Sequence, residues 1–114
     1  MQYLLLIYED EKRWTTMSET TQGNEVGEYR AFGKEFADRI KGGNALQPTV
    51  TATTVRVRSG KRLTSDGPFA ETKEQLGGYY LMEAANLDGA IAAAEKIPAA
   101  RYGSIEVRPI MTFS

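Results

Sequence analysis

Two segments of this chain carry apolar side chains at almost every position. They are residues 3–8 (Tyr-Leu-Leu-Leu-Ile-Tyr) and residues 77–84 (Gly-Gly-Tyr-Tyr-Leu-Met-Glu-Ala). Successive side chains of a β-strand point to opposite faces of the sheet. Both segments are therefore predicted to be strands buried on both faces, which requires a sheet that is covered on both sides.

Five strands and two helices are predicted, in the order β-α-β-β-β-α-β within one domain, residues 1–114. The first helix is predicted from Glu25 to the glycines at 42–43, which permit the left-handed turn that ends a helix. The polar stretch before Glu25 is predicted to be a loop with a helical turn after Ser18. The second helix is predicted to begin at Asp88 as N-cap and to stop at Pro98.

The remaining strands are predicted at 49–58, 61–65 and 104–110, the first two forming a hairpin around Ser59-Gly60. A three-residue loop at 58–60 sets Val55 opposite Leu63 and Arg56 opposite Arg62. A two-residue turn would set Val57 opposite Arg62 and mix apolar with charged side chains on each face. The sequence therefore favours the three-residue loop.

This order predicts a ferredoxin-like α+β fold, βαβ(β)βαβ, with an antiparallel sheet and both helices on one face. Two helices cover only one face of that sheet. The other face would expose several hundred Å² of apolar surface, which monomers rarely tolerate. A homodimer formed through the sheet face is expected.

The composition excludes several chemistries. The 114 residues include no Cys and no His, which rules out disulfides, thiolate or imidazole catalysis and an ordinary transition-metal site. The formal charge of −1 argues against nucleic-acid binding. Residues 1–8 lack the basic start and the length of a signal peptide, and no segment is long enough to cross a membrane. A cytoplasmic protein without metal or cofactor is expected.

Residues 66–80 (DGPFAETKEQLGGYY) closely resemble the signature of the DGPF-domain proteins, which are relatives of the YCII family. Residues 3–8, 53–58 and 105–109 extend the resemblance over most of the chain. It implies a dimeric ferredoxin-like α+β barrel of largely uncharacterised function, with some relatives encoded beside sigma factors. A His–Asp pair is the active site suggested for YCII proteins. This chain keeps Asp66 but has no His, and Tyr29 is the residue we expect in place of the imidazole.

The candidate catalytic residues are Asp66 and Tyr29. The candidate ligand-binding residues are Arg56, Arg62, Asp66 and Phe69. Each has a simpler structural reading: Asp66 as a turn residue bonded to backbone amides, Phe69 as a plug in the core or dimer seam, and the arginines as solvated surface cations. The arginines also suit a carboxylate or phosphate ligand, because guanidinium groups bind such anions in a planar fork.

Three functions remain open. The first is binding of a small polar or anionic molecule in a cleft beside residues 66–69. The second is an enzyme on the same scaffold, with Asp66 as acid or base. The third is a protein-interaction module linked to a sigma-factor regulatory system. A pocket of about 300 Å³ or more favours the first two, whereas a convex surface favours the third.

Overall fold

The computed structural model describes residues 1–113 and contains six strands, three α-helices and two short 3₁₀ turns. The strands are β1 (Gln2–Glu9), β2 (Ile40–Ala45), β3 (Thr53–Arg58), β4 (Lys61–Asp66), β5 (Gln75–Glu83) and β6 (Ser104–Pro109). The helices are α1 (Glu11–Thr16), α2 (Glu19–Glu35) and α3 (Leu87–Ala94), and the 3₁₀ turns are Thr49–Thr51 and Pro98–Arg101.

Four strands form one antiparallel sheet in the order β2-β5-β1-β6. The two predicted apolar strands, β1 and β5, are its central pair, as their two apolar faces require. The first and third strands of this sheet in chain order, β1 and β5, lie at its centre, and the second and fourth, β2 and β6, lie at its edges. This order is that of a ferredoxin-like fold. The predicted fold class is confirmed.

Strand β2 was not predicted, because its sequence Ile-Lys-Gly-Gly-Asn-Ala is poor in strand-forming residues. The prediction used Gly42 and Gly43 as a helix end, whereas both lie in this strand. A Cβ at Gly43 would lie 2.6 Å from the backbone oxygen of Tyr79 on β5. The glycine therefore permits an approach of β2 to β5 that a larger residue would obstruct.

The helices begin and end earlier than predicted. The segment expected to be a loop forms α1, capped by Asp10, and the start of α2, whose N-cap Ser18 accepts a hydrogen bond from the Thr21 amide at 3.2 Å. Helix α2 ends at Glu35, with Phe36 as its C-cap. Helix α3 is capped by Asn86 instead of Asp88, its side chain accepting from the Gly89 amide at 3.0 Å.

The hairpin of β3 and β4 forms a sheet of its own instead of joining the main sheet. Its register also differs from the prediction, because Val57 lies opposite Arg62 and Arg56 opposite Leu63. Ser59 and Gly60 both have positive φ, at 51° and 73°, so the turn has two residues and matches the twist of the strands. Every β4 side chain is exposed, so no buried face was available to impose the predicted register.

One face of the main sheet carries the core. Tyr3, Leu5 and Ile7 of β1 pack with Met82, with Phe32 and Phe36 at the end of α2, and with Ala90, Ala93 and Ala94 of α3. Leu4, Leu6 and Tyr8 point to the opposite face, which has no helix over it and leaves them half-buried. Within the described residues no helix is both long and apolar enough to cross a membrane.

Candidate functional site

A cavity of about 390 Å³ lies between α2 and the helix-covered face of the sheet; we call it the α2–sheet cavity. Ile7 and Glu9 of β1 and Tyr80 of β5 contribute to the sheet side, and Glu25, Val26 and Tyr29 contribute from α2. Gly43, Gly77 and Gly78 also line it. Because these glycines carry no side chain, they leave room between the helix and the strands. The cavity has the size of a small-molecule site.

Two carboxylates that line this cavity, Glu9 and Glu25, form a partly buried cluster with the guanidinium of Arg13. Arg13 donates from Nη2 to both oxygens of Glu25, at 2.8 and 2.9 Å, and its Nη2 lies 3.4 Å from Oε2 of Glu9. The Arg13 guanidinium also stacks 3.8 Å from the ring centre of Tyr102. Glu25 is only 4% exposed, so its charge depends on this arginine.

Local sequence places these three groups together. Asp10 caps α1 directly after Glu9, its carboxylate accepting from the Lys12 amide at 3.0 Å. This puts Arg13 four residues after Glu9, on the first turn after the strand. Helix α2 then returns across the sheet and presents Glu25, which is buried on the same stripe as Phe32.

Glu9 and Arg13 each keep one buried atom without a hydrogen bond, Oε2 of Glu9 and Nε of Arg13. For Oε2 of Glu9, the 3.4 Å contact with Arg13 is longer than an ordinary charged hydrogen bond. Burial raises the pKa of the Glu9 carboxyl, and the neighbouring Glu25 adds to this effect, whereas the Arg13 charge opposes it. Glu9 is therefore a carboxylate with an unmet demand for hydrogen-bond donors.

Two tyrosines complete the polar part of the cavity. Burial raises the pKa of Tyr29, as do the charges of Glu9 and Glu25, so this phenol stays protonated and can donate a hydrogen bond. Burial likewise raises the pKa of Tyr80. The ring of Tyr80 packs against Phe32, with the ring centres 5.0 Å apart.

The sequence-predicted candidates do not form one site. Tyr29 lines the α2–sheet cavity, but Asp66, Phe69, Arg56 and Arg62 line neither it nor the two other cavities described among residues 1–113. Phe69 is 78% exposed, which does not match the expected plug in this chain's own core. Within the same residues, the Asp66 carboxylate accepts no hydrogen bond; its turn is held instead by Gly67, whose amide donates to the Ala52 carbonyl at 2.7 Å.

The hairpin arginines lie on opposite faces. Opposed residues share a face of an antiparallel pair, so Arg56 lies with Leu63, Arg58 and Lys61, whereas Arg62 lies with Val57. The predicted opposition of Arg56 and Arg62 is therefore wrong, because the two-residue turn shifts the register by one residue. In the described chain neither arginine has a carboxylate within 4.0 Å. Ligand binding by these residues stays a prediction.

Sequence reasoning missed Glu9, Arg13 and Glu25. One signal was present: Glu25 stands at helical spacing from Tyr29, Phe32 and Phe36, so a carboxylate shares a helix face with three aromatic residues. A charge at such a position needs a partner. No group of three or more acidic residues suited to a metal ion occurs among residues 1–113.

Fold and cavity together define a ferredoxin-like α+β protein with a small-molecule-sized site between its longest helix and its sheet. The chain belongs to the YCII-related family, whose model, described as the YCII-related domain, matches residues 1–114. The relationship to the YCII family inferred from the sequence is thereby confirmed.

Two similar proteins extend this result. An uncharacterized protein of Rhizobium meliloti (strain 1021) is 37% identical over 117 residues, which covers 99% of this chain and 94% of that protein. Among solved structures, 5-chloro-2-hydroxyhydroquinone dehydrochlorinase (TftG) from Burkholderia phenoliruptrix, in complex with 2,5-dihydroxybenzoquinone, superposes with a TM-score of 0.58. That match covers 97% of this chain and 94% of TftG at 14% identity, so it shows a common fold.

Proposed function

We propose that this chain binds a small, flat molecule bearing hydroxyl groups in the α2–sheet cavity. The observation that carries the proposal is Glu9, a half-buried carboxylate that lines the cavity and receives only a 3.4 Å contact from Arg13. Its Oε2 is enclosed against that arginine, but 23% of the side chain stays exposed, so a ligand hydroxyl could donate to the accessible part of the carboxylate. Trp14, Tyr29 and Tyr80 line the same space and supply aromatic surface for a planar ring.

The charges favour a neutral ligand over an anion. Arg13 is already engaged by Glu25 and by the ring of Tyr102. With Glu9 ionised, the cluster has two negative charges and one positive charge, which would repel a carboxylate or phosphate. Of the two ligand classes considered from the sequence, polar and anionic, the cavity therefore supports the polar one.

Binding is tested with catechol, a flat ring with two hydroxyl donors, by isothermal titration calorimetry. We expect catechol to bind about tenfold more tightly than 1,2-dimethoxybenzene, which donates no hydrogen bond, because a hydrogen bond to a charged group contributes at least about 1.4 kcal/mol. Benzoate should bind more weakly than catechol. Absence of catechol binding at millimolar concentration would contradict the proposal.

The location is tested by filling the cavity. Val26→Trp places a large ring at the wall of the α2–sheet cavity, at a position that is 39% exposed and tolerates size. It should weaken catechol binding at least about tenfold. Val55→Trp, on the hairpin and absent from the lining of the α2–sheet cavity, is the matched control and should leave the affinity unchanged. Equal effects of the two variants would place the ligand elsewhere.

Acid–base catalysis on such a ligand is a second candidate, favoured by the raised pKa of Glu9 beside the phenol of Tyr29. TftG is named a dehydrochlorinase, so net loss of HCl from a chlorinated, hydroxylated ring is the first reaction to test. Such an elimination moves a proton to a base and releases chloride, with no external oxidant. Glu9→Gln should abolish chloride release, whereas Glu71→Gln in an exposed loop should not.

A further inference from the structure

A second cavity, of about 610 Å³, adjoins the first one; we call it the outer cavity. Glu9, Trp14, Ala45 and Gly77 line both cavities. The two spaces therefore meet at a boundary formed by the end of β1, the start of α1, the end of β2 and the bulged part of β5. A molecule held at Glu9 stands at the entrance to the outer cavity.

Three polar residues of the outer cavity, Glu11, Thr49 and Gln75, are hydrogen-bonded to one another, whereas the exposed side chains of Lys12 and Gln47 line it without a hydrogen bond inside the described chain. The carboxylate of Glu11 accepts from the amide and hydroxyl of Thr49, at 2.7 and 2.9 Å. The side-chain oxygen of Gln75 accepts from the Glu11 amide at 3.0 Å. These groups are occupied with internal hydrogen bonds and offer few free bonding positions to a polar ligand.

The apolar groups of the same cavity are left open. Trp14 is 39% exposed, Leu46 is 45% exposed and Val50 is 82% exposed, and all three line this space. Apolar side chains gathered in a concavity gain free energy when an apolar group displaces water from them. The outer cavity thus suits hydrocarbon, whereas the α2–sheet cavity suits a ring with hydroxyl groups.

We infer that the two cavities are one bipartite site, whose ligand is a neutral hydroxylated ring carrying an apolar chain that passes Glu9 and Trp14 into the outer cavity. The inference rests on the proposed function for the ring and adds the second half of the ligand. The chemical class is that of an alkyl-substituted phenol or catechol. A negative charge on the chain next to the ring would be repelled by the Glu9 carboxylate at the boundary.

The experiment is a titration of wild-type protein with catechol and with 4-ethyl-, 4-butyl- and 4-hexylcatechol. Affinity should rise about fourfold for each methylene that enters the outer cavity, as expected for burial of a CH₂ group. Leu46→Asn changes a residue that lines only the outer cavity. It should reduce the gain per methylene to less than about twofold while leaving catechol itself unaffected.

Leu63→Asn is the matched control, since Leu63 is 50% exposed and lies on the hairpin. It should retain the full gain with chain length. If catechol binds but the longer homologues bind no better, or if Leu46→Asn keeps the full gain, the bipartite site is wrong and the proposed function stands. If no member of the series binds, the proposed function itself is wrong. If the gain in affinity per methylene falls as the protein concentration rises, a second copy of the chain competes for the outer cavity. That result would also overturn the inference.

Discussion

At the scale of single residues, the cluster of Glu9, Arg13 and Glu25 contains two carboxylates that share one arginine unequally. Glu25 is paired at hydrogen-bonding distance by Arg13, and removal of that arginine would leave an uncompensated buried carboxylate. Glu9 receives only the longer contact at 3.4 Å. One arginine therefore stabilises Glu25 and leaves Glu9 available to a ligand.

Replacement of Glu9 by Gln should change how stability depends on pH. Because the pKa of Glu9 is raised above 4.5, its contribution to stability is complete below that pH and is lost as pH rises through the raised value. The difference in unfolding free energy, Glu9→Gln minus wild type, should therefore increase from pH 4 to pH 7.5 in urea titrations. Glu71→Gln should show no such trend. A difference that decreases with pH would mean that pairing with Arg13 outweighs burial.

Tyr29 is the one sequence-predicted candidate that lines the α2–sheet cavity. It was selected as the residue expected in place of the imidazole that the family resemblance implies. Asp66 was favoured by a short motif, and a motif locates a turn without indicating which cavity the turn faces. Glu9 was not predicted as a site residue because it is the first of three acidic residues after an apolar strand, a pattern typical of an exposed strand end. Its partial burial arises only when α1 and α2 pack beside it.

At the scale of elements, strong patterns were predicted well and weak ones were not. The alternating and fully apolar strands β1, β5 and β6 lie where they were predicted, because burial dictates them. Strand β2 contains two glycines and no alternation, and only its pairing with β5 makes it a strand. Helix α2 contains three glycines, which have low helix propensity. For this reason its first turns, before Glu25, were predicted to be a loop.

Gly43 tests the close approach of β2 and β5. In Gly43→Ala the new Cβ would lie 2.6 Å from the Tyr79 carbonyl oxygen and 3.0 Å from the ring of Tyr80. We expect this substitution to lower the free energy of unfolding by about 1–3 kcal/mol, as overpacking does. Gly42→Ala, one residue away, meets only Leu81 at 3.9 Å and should change stability by less than about 0.5 kcal/mol. Equal losses in urea titrations would contradict this account.

At the scale of the whole molecule, one chain has more surface than its mass predicts. Its accessible surface is 8171 Å², whereas a compact monomer of 12.6 kDa would expose about 6,200 Å². Its radius of gyration is 16.2 Å, against about 13 Å for a compact domain of this length. The open face of the main sheet and the exposed hairpin are two features that add to this surface. An excess of about 2,000 Å² is within the range that one subunit buries in an obligate dimer.

We therefore expect a homodimer formed through the open face of the main sheet. Light scattering at micromolar concentration should report about twice 12.6 kDa. Leu6→Asp puts a charge at the centre of that face and should abolish the dimer or cause aggregation, because burial of an unpaired charge is costly. Leu87→Asp, at an exposed position on α3, should leave the dimer intact. A monomeric mass for the wild type would contradict the expectation.

The hairpin of β3 and β4 can change in length during evolution without disturbing the main sheet, because it forms a sheet of its own. Its strands pair with each other and with no strand of the main sheet. Residues added or removed in pairs across this hairpin would alter its reach without shifting any register in the main sheet or any wall of the two cavities. Such length changes carry only a small entropic cost in a surface segment. The contacts of the hairpin can thus diverge while the walls of the two cavities are inherited unchanged.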